Sequence, residues 1–453
     1  MPAPAAARTA KEIAIAEGTK MEKLTIALLG GGVVGSEVAR TLLEDAEALA
    51  ERVGAPLELR NVVVRDLGKE RPGIPRELLT DDAEAALADA DIVVELMGGI
   101  EPARSLILSA LARGSSVVTA NKALLAQSFP ELLAAADESA VRLEFEAAVA
   151  GAIPIVRPLN DSLAGDRVTR VMGIVNGTTN YILDQMAREG WDFAHALRTA
   201  QELGYAEADP TADIEGLDAA AKAAIIASLA FQVPVSIDDV HVEGITGVSA
   251  DMIATAQAQG FTIKLLAICE RLEGEDAGVS ARVYPALVSR EHPLASVFGA
   301  YNAVFVEADA AGSLMFYGQG AGGAPTSSAV LGDVVSVARR RVLGGRGQAA
   351  AQVRGGSRVL PISAVDTRYQ ITLEVADRPG VLLTVAEVLA AEGVSVELAS
   401  QTQLETAEDG VPRAKLVIAT HTAKESALAA TVETLAALDA VASVRSVLRI
   451  EGS

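Results

Sequence analysis

One stretch decides the fold of the first third of the chain: Lys23-Leu24-Thr25-Ile26-Ala27-Leu28-Leu29-Gly30-Gly31-Gly32-Val33-Val34-Gly35. Its apolar half predicts a buried strand, and apolar residues at helical spacing from Val38 to Leu43 predict a helix beyond the glycines. This is the G-x-G-x-x-G pattern in its strand–turn–helix setting. The first glycine permits a tight turn, the second lets a pyrophosphate approach the backbone, and the third lets the helix pack on the strand. We therefore expect a dinucleotide-binding unit, and its expected phosphate contacts are Gly30, Gly32, Val33, Val34 and Gly35.

The alternation of strands and helices continues after this unit. Predicted strands end at Arg65-Asp66, Gly98, Thr119 and Glu146, and a helix opens at Lys122. Strands that alternate with helices at this spacing imply an α/β fold with a doubly wound parallel sheet. Ligands of such sheets bind at the carboxyl ends of the strands, so these positions are candidates for a binding site.

The end of the second predicted strand bears on cofactor choice. An acidic residue there would meet the ribose 2′-hydroxyl of NAD, whereas an arginine suits the 2′-phosphate of NADP. Arg65 and Asp66 compete for this role, and Lys69 adds positive charge nearby. We expect NADP(H), with NAD as the alternative.

Bulk composition excludes several classes of protein. A length of 453 residues predicts two to four domains. The formal charge of −22 argues against nucleic acid and anionic membranes as partners. The sequence contains no uninterrupted apolar run near 18 residues, so no transmembrane helix is predicted. Residues Met1–Lys20 do not resemble a signal peptide. The single cysteine, Cys269, excludes a disulfide framework. We expect a cytoplasmic protein with an Ala-rich, disordered extension at residues 1–20.

The middle third contains a second informative stretch, Asp209–Lys222, which leads into an Ala-rich helix. Asp218 and Lys222 are four residues apart and share one helical face with apolar residues that follow them. One interpretation is a surface ion pair worth about 0.3–0.5 kcal/mol. The other is an acid/base lysine beside a substrate-binding carboxylate.

The single cysteine, Cys269, ends an apolar run that begins at Lys264. We predict that this run is the apolar stripe of a buried helix. Acyl-enzyme chemistry, which needs an activated thiolate, is therefore not expected at Cys269.

Six motifs occur in order over residues 21–345, and together they resemble homoserine dehydrogenase. They are Gly30–Gly35, Thr119-Ala120-Asn121-Lys122, Asn176-Gly177-Thr178-Thr179-Asn180, Gly204–Glu207, Asp209–Lys222 and Gly320-Ala321-Gly322-Gly323-Ala324-Pro325-Thr326. The resemblance implies a reversible NAD(P)-dependent interconversion of L-homoserine and L-aspartate 4-semialdehyde in threonine and methionine biosynthesis. It also implies a Rossmann-type domain and an α+β catalytic and dimerisation domain.

The resemblance also implies roles for individual residues. Lys222 would be the acid/base on the alcohol oxygen, and Lys122 would lie beside substrate and nicotinamide. Glu207 and Asp218 would bind the homoserine end. Further cofactor contacts would come from Thr119, Gly204 and Gly322. A sodium-like monovalent cation would be bound by Glu146 and by the carbonyl groups of Val149, Gly151 and Ile153.

A lysine that acts as a base needs a suitable environment. The ordinary lysine pKa is about 10.4, which makes a poor base at neutral pH. Burial and a nearby cation lower the pKa of such a group, and Lys122 and the oxidised nicotinamide are candidates for that cation. Asp218 acts in the opposite direction, so we expect it to hold the substrate ammonium group.

The tail after residue 366 predicts a βαββαβ unit, the ferredoxin-like arrangement. Asp377-Arg378-Pro379-Gly380-Val381 at its first turn resembles an ACT domain, an amino-acid-sensing module that pairs across subunits. The expected effector contacts are Asp377, Gly380, Val381 and Gln401. Pathway logic suggests threonine as the effector and feedback inhibition as its result. The alternative is a dimerisation module without a ligand.

We expect five segments: an extension (1–20), an NAD(P)-binding domain (21–157) completed by a helix at 326–345, a substrate-binding catalytic and dimerisation domain (158–325), a linker (346–366) and an ACT domain (367–453). A homodimer or homotetramer is expected. Two alternatives stay open: another NAD(P)-dependent oxidoreductase of amino-acid metabolism, and a non-catalytic amino-acid-responsive regulator. Lys122, Asp218 and Lys222 together argue against the regulator.

Overall fold

A computed structural model describes residues 22–274, 277–345, 357–404 and 411–452. The expected extension at 1–20 and the first part of the expected linker, 346–356, lie outside the described residues. The chain forms two compact units. The first unit contains residues 22–119, 132–144 and 330–345, and the second unit contains the remaining described residues. No helix among the described residues combines the length and the apolar character that crossing a membrane requires.

The first unit is built on a six-stranded sheet in which every pairing is parallel. Its spatial order is β3-β2-β1-β4-β5-β6. The strands are β1 (Leu24–Leu29), β2 (Leu57–Val63), β3 (Leu79–Thr80), β4 (Ile92–Glu95), β5 (Ser116–Thr119) and β6 (Leu143–Glu144). This order, in which the chain reverses direction across the sheet between β1 and β4, confirms the predicted doubly wound fold.

The helices of the first unit connect these strands. They are α1 (Val33–Glu44), α2 (Ala46–Val53), α3 (Ala83–Leu87), α4 (Ala103–Ala112) and the second half of α5 (Lys122–Glu138). The helix expected at 326–345 is Gly323–Val342, and its last turns belong to this unit. Arg341 anchors it there, because its Nη2 lies 2.8 Å from Asp91 Oδ1 and its Nη1 donates to the Gly114 carbonyl at 3.0 Å.

The turn between β1 and α1 can be made only by glycine. Gly30 has a φ of +111°, and a Cβ there would lie 2.7 Å from the Leu96 carbonyl oxygen. A Cβ on Gly35 would collide with the carbonyl oxygen of Gly30, so α1 approaches the turn only because Gly35 has no side chain.

The second unit contains an eleven-stranded sheet, in the order β12-β11-β7-β9-β10-β19-β15-β17-β16, with β8 and β13 also pairing with β10. Its strands before the tail are β7 (Val168–Ile174), β8 (His241–Val242), β9 (Phe261–Leu272), β10 (Gly278–Ser289), β11 (Tyr301–Ala308) and β12 (Gly312–Gln319). Its helices before the tail are α6 (Gly177–Glu189), α7 (Phe193–Glu202), α8 (Thr211–Ile214), α9 (Leu217–Phe231), α10 (Ala250–Ala258) and the start of α11 (Gly323–Val342).

The tail confirms the predicted βαββαβ unit. After the short strands β13 (Arg358–Val359) and β14 (Asp366–Thr367) come β15 (Tyr369–Ala376), α12 (Val381–Ala391), β16 (Val396–Gln403), β17 (Arg413–Thr420), β18 (Ala423–Lys424), α13 (Glu425–Ala436) and β19 (Val441–Glu451). β19 pairs in parallel with β10, so tail and catalytic strands form one continuous sheet. β13 also pairs with β10, so the described end of the expected linker is part of that sheet.

One secondary-structure prediction is wrong. The run from Lys264 to Cys269 lies in β9 and not in a helix. β9 is paired on both sides, by β7 and β10, and is mostly buried. A strand buried on both faces has no alternating pattern, so a short apolar run does not distinguish it from a buried helix. Cys269 is nevertheless a core residue, and burial raises the pKa of its thiol to about 12.

Candidate active site

The lysine predicted to be catalytic lies on the buried face of α9. Lys222 Nζ donates to the Val175 carbonyl at 2.6 Å and to Asp218 Oδ2 at 2.7 Å. Lys222 is 8% exposed and Asp218 is 7% exposed. A surface ion pair, the other interpretation of this spacing, therefore does not describe the pair. An ammonium group has three N–H donors, so the third remains for a further acceptor.

Lys122 joins this pair from the start of α5. Its ammonium forms an ion pair with Asp218 Oδ1, and its side chain is 45% exposed. Burial acts to raise the pKa of the Asp218 carboxyl, but the ammonium groups of Lys222 and Lys122 outweigh it and hold the pKa well below the usual range. Asp218 is therefore a fixed carboxylate between two cations.

Asn176 and Asp213 also belong to this cluster, although no role was predicted for either residue. Asn176 lies two residues after the end of β7, and its Nδ2 donates to Asp213 Oδ1 at 2.6 Å and to Asp218 Oδ2 at 2.8 Å. Asn176 thus connects α8 with α9. Both residues stand inside the quoted motifs, and the position of Asn176 at a strand end was the available signal.

Three predicted contacts lie on exposed loops of the second unit. Gly204 and Glu207 are exposed between α7 and α8, and Gly322 is exposed just before α11. Within the described ranges, no hydrogen bond joins the Glu207 carboxylate to Asp218 or Lys222; the Glu207 carbonyl accepts from Gln201 Nε2 at 3.1 Å. The roles of these three residues stay predictions.

The expected phosphate-binding turn in the first unit is open. Helix α1 begins without a side-chain cap and without an acidic residue in its first turn. A Cβ on Gly32 would meet no atom within 4 Å, and Val33 is 76% exposed. Such a helix start fits an anion, because its N–H groups and dipole favour negative charge. The residues present therefore fit a dinucleotide. Thr119 is buried, and its Oγ1 donates to Glu95 Oε2 at 2.6 Å.

The loop after β2 contains a second arginine that the sequence did not single out. Arg65 is exposed, as expected. Arg71 lies against the glycine turn, because a Cβ on Gly31 would be 3.0 Å from Arg71 Cδ. Its Nη1 donates to the carbonyls of Asp66 and Lys69, both at 2.8 Å. No periodic pattern marks Arg71, so only the folded loop shows its position.

The expected cation ligand has other partners. Glu146 is 1% exposed, and its Oε1 accepts from the backbone N–H groups of Ile155 at 2.5 Å and Val156 at 2.7 Å. Its Oε2 accepts from Arg157 N and Nε at 3.0 and 3.1 Å. The described residues contain no group of three or more acidic, histidine or cysteine side chains that could hold a metal. The monovalent cation site at Glu146, Val149, Gly151 and Ile153 stays a prediction.

Two of the expected effector residues meet in the tail. Gln401 Nε2 donates to Asp377 Oδ1 at 3.1 Å, and Gln403 Nε2 donates to Asp377 Oδ2 at 3.1 Å. Gly380 precedes α12 with a φ of +94°, and this helix also has no side-chain cap. Val381, the first residue of α12, is buried. The geometry gives a partly buried carboxylate next to an open helix start.

Comparison with known proteins assigns the family. Residues 154–335 match the family model described as homoserine dehydrogenase, residues 30–146 match its NAD-binding domain, and residues 369–440 match the ACT domain. The homoserine dehydrogenase of Mycobacterium tuberculosis is 57% identical over 434 residues, which are 94% of this chain and 98% of that protein.

Solved structures agree with this assignment. A homoserine dehydrogenase from Thiobacillus denitrificans is 38% identical with a TM-score of 0.88, over 95% of this chain and 98% of that one. A hyperthermophilic archaeal homoserine dehydrogenase mutant in complex with NADPH is 26% identical with a TM-score of 0.60, over 70% of this chain and 98% of that one. The chain therefore belongs to the homoserine dehydrogenase family and carries a nicotinamide-cofactor-binding domain and a C-terminal ACT domain.

Proposed function

We propose that this oxidoreductase interconverts L-homoserine and L-aspartate 4-semialdehyde, with Lys222 as the acid/base. One observation carries the proposal: the Lys222 ammonium is buried, is held by the Val175 carbonyl and Asp218, and keeps one N–H for a substrate oxygen. A bound nicotinamide would supply the hydride acceptor for the alcohol carbon. In that direction Lys222 acts as the neutral amine and accepts the alcohol proton, which makes it an ammonium group; in the other direction the ammonium group gives that proton to the aldehyde oxygen.

The other residues of the cluster position the substrate. Asp218 is ionised and supplies a carboxylate for the substrate ammonium group, with Glu207 as a second carboxylate from the exposed loop after α7. Lys122, which is half exposed beside Asp218, supplies positive charge for the substrate carboxylate or the reacting oxygen. Burial of Lys222 and Asp218 limits competition from water for these contacts.

The test is a direct assay of the reaction. The purified chain is mixed with NADP and L-homoserine, and the absorbance of NADPH is recorded. A homoserine-dependent rise is expected, and no rise is expected with threonine, 2-hydroxy acids or glycerol. A rise with one of the other alcohols and none with homoserine would favour a different oxidoreductase of amino-acid metabolism.

We propose that the chain prefers NADP over NAD. Arg65 and Arg71 both lie in the loop after β2, where a 2′-phosphate would be met. An arginine offers the planar donor pair that suits a phosphate. A similar archaeal enzyme has been solved with NADPH, which agrees with this preference.

We propose that the tail binds an amino-acid effector, threonine, and that Arg449 couples effector binding to α9. Arg449 lies on β19, and its Nη1 donates to Glu243 Oε1 at 2.8 Å. Just after Glu243, the Ile245 N–H donates to the Ile214 carbonyl at 2.8 Å. Ile214 is the neighbour of Asp213, so a chain of direct contacts connects the tail with the catalytic cluster.

The regulatory proposal is tested on the full chain. Deletion of the tail would remove β19 from the sheet and leave buried Arg282 and Tyr284 without Glu451. A change in the activity of a truncated chain would therefore reflect loss of structure rather than loss of regulation. Asp377→Ala is expected to abolish inhibition by L-threonine and to keep turnover without threonine. Asp366→Ala is the control, because Asp366 is an exposed tail carboxylate that pairs with Lys424. Equal inhibition of wild type and Asp377→Ala would remove Asp377 from the effector site.

We propose that the chain assembles as a homodimer or homotetramer. β16 lies at the end of the sheet, and all eight of its residues are exposed, including Leu398 at 48%. An open strand edge with exposed apolar side chains favours pairing with another chain. Light scattering during gel filtration tests this: wild type is expected above the mass of one chain, and Leu398→Lys is expected to shift it downward.

A further inference from the structure

We propose that Asn176 is a positioning residue that holds the Asp213 and Asp218 carboxylates in place, and through Asp218 the Lys222 ammonium. The inference rests on the proposed function, because it assigns Asn176 an effect on homoserine turnover. It adds a residue at the end of β7 to the cluster on α8 and α9. Asn176 itself is 5% exposed and touches no group that we assign to the reacting atoms.

The side-chain amide of Asn176 is fully committed. Its Oδ1 accepts from the Thr179 N–H at 2.9 Å and from Thr179 Oγ1 at 3.0 Å, which caps the start of α6. Its Nδ2 donates to Asp213 Oδ1 and Asp218 Oδ2. This orientation is the one that chemistry allows, because an ionised carboxylate can only accept and a backbone N–H can only donate.

The two Nδ2 contacts of Asn176 bridge the Asp213 and Asp218 carboxylates, and this bridge has two consequences for the cluster. Two carboxylates that share one neutral donor pair are drawn together, whereas an acceptor between them would repel both. Asp218 Oδ2 also accepts from Lys222 Nζ at 2.7 Å, so the position of this oxygen affects the position of the Lys222 ammonium. Asn176 therefore acts on the acid/base through Asp218.

Two substitutions separate the bridge from the helix cap. Aspartate and serine are both good helix caps, so Asn176→Asp and Asn176→Ser keep the contact to the Thr179 N–H. Asn176→Ser removes the bridging N–H donors without adding charge. Asn176→Asp puts a third carboxyl group at the bridge, where it faces Asp213 and Asp218. The Lys222 ammonium lies close to this position, because it donates to the same Asp218 Oδ2 and to the Val175 carbonyl, and Lys122 pairs with Asp218 Oδ1.

The two variants differ in pH dependence. In Asn176→Asp, like charges favour a proton shared among the three carboxyl groups at low pH, and this proton restores a donor to the bridge. As pH rises the proton is lost, and the carboxylates repel each other. Asn176→Asp is therefore expected to lose kcat progressively as pH rises, relative to wild type, whereas Asn176→Ser is expected to lose the same factor at every pH.

The experiment measures kcat and KM for homoserine from pH 6 to pH 9 on the full chain. A fall of roughly tenfold to hundredfold in kcat is expected for Asn176→Ser, from the range for hydrogen bonds to charged groups. Asp192→Asn is the matched control, since Asp192 caps α7 through the His195 N–H and is expected to keep wild-type kinetics. Wild-type kcat in Asn176→Ser, or an Asn176→Asp profile parallel to wild type, would overturn the proposal.

A second readout does not depend on turnover. The thermal unfolding midpoint of Asn176→Asp is expected to fall further below wild type at pH 8 than at pH 5.5, because ionisation of the added carboxyl beside Asp213 and Asp218 increases with pH. A constant difference at both pH values would show that no carboxylate cluster faces residue 176. If wild type does not oxidise homoserine, the proposed function fails while this readout still decides the bridge.

Discussion

Replacement of Lys222 by methionine is the change that most sharply separates chemistry from packing. Methionine keeps most of the volume of the buried side chain and removes the amine. General acid/base catalysis by a positioned side chain contributes roughly 10²–10⁴ in rate. The turnover of Lys222→Met with homoserine is therefore expected to fall by that factor, which corresponds to about 3–5 kcal/mol in activation free energy.

The cost in stability is expected to be smaller than the loss of a whole buried ion pair. The Val175 carbonyl loses its donor from Lys222, and an unsatisfied buried acceptor costs about 1–3 kcal/mol. Asp218 keeps Lys122 and the Asn176 amide, so the full ~3–5 kcal/mol of a broken buried pair does not apply. The free energy of unfolding should fall by about 1–3 kcal/mol.

The assay compares steady-state turnover with urea unfolding for wild type, Lys222→Met and Lys264→Met. Lys264 is the matched control, because it is a second buried lysine of the same unit and donates to Asn180 Oδ1 at 3.0 Å and to the Val297 carbonyl at 2.6 Å. Lys264→Met is expected to keep turnover within tenfold of wild type. A folded Lys222→Met with more than a tenth of wild-type turnover would refute the acid/base assignment.

Three further predictions concern other parts of the chain. Burial lowers the pKa of Lys264 from 10.5 in the unfolded chain to about 8 in the folded chain. Between pH 8 and pH 10.5 the unfolded chain therefore binds more protons, so the free energy of unfolding rises with pH by at most about 3 kcal/mol. Urea unfolding at pH 7.5 and pH 10 should show this rise in wild type and not in Lys264→Met. Arg71→Gln is expected to raise the KM for NADP at least tenfold and to leave the KM for NAD within twofold; an equal rise for both cofactors would contradict a 2′-phosphate contact. Arg449→Met is expected to lower the free energy of unfolding by about 3 kcal/mol, because the carboxylates of Glu243 and Glu425 lose their cation. Arg445 lies on the same strand but has a more exposed side chain, so Arg445→Met should lower the free energy of unfolding by less than about 1 kcal/mol.

The sequence predicted those parts of the fold and site that depend on local spacing. The glycine turn and the pair of Asp218 and Lys222 are each contained within one short segment, so their residue types and intervals identify them. The βαββαβ order of the tail follows for the same reason, because each element has its own period and turn residues.

The parts that escaped prediction depend on contacts across the chain. Asn176 meets Asp218 over a separation of 42 residues, and Arg449 meets Glu243 over 206. Strand periodicity does not identify a partner strand, which is why the pairing of β19 with β10 was not expected. The apolar run ending at Cys269 failed for another reason: a strand buried on both faces loses the alternation that distinguishes it from a helix.

The acid/base role of Lys222 requires its amine to contact the reacting oxygen of the substrate. A crystal structure of the full chain with NADP and L-homoserine tests this most directly. The homoserine hydroxyl oxygen is expected within about 3 Å of Lys222 Nζ, and the homoserine ammonium group is expected next to Asp218. A hydroxyl oxygen bound elsewhere, with Lys222 Nζ still held only by Val175 and Asp218, would contradict it.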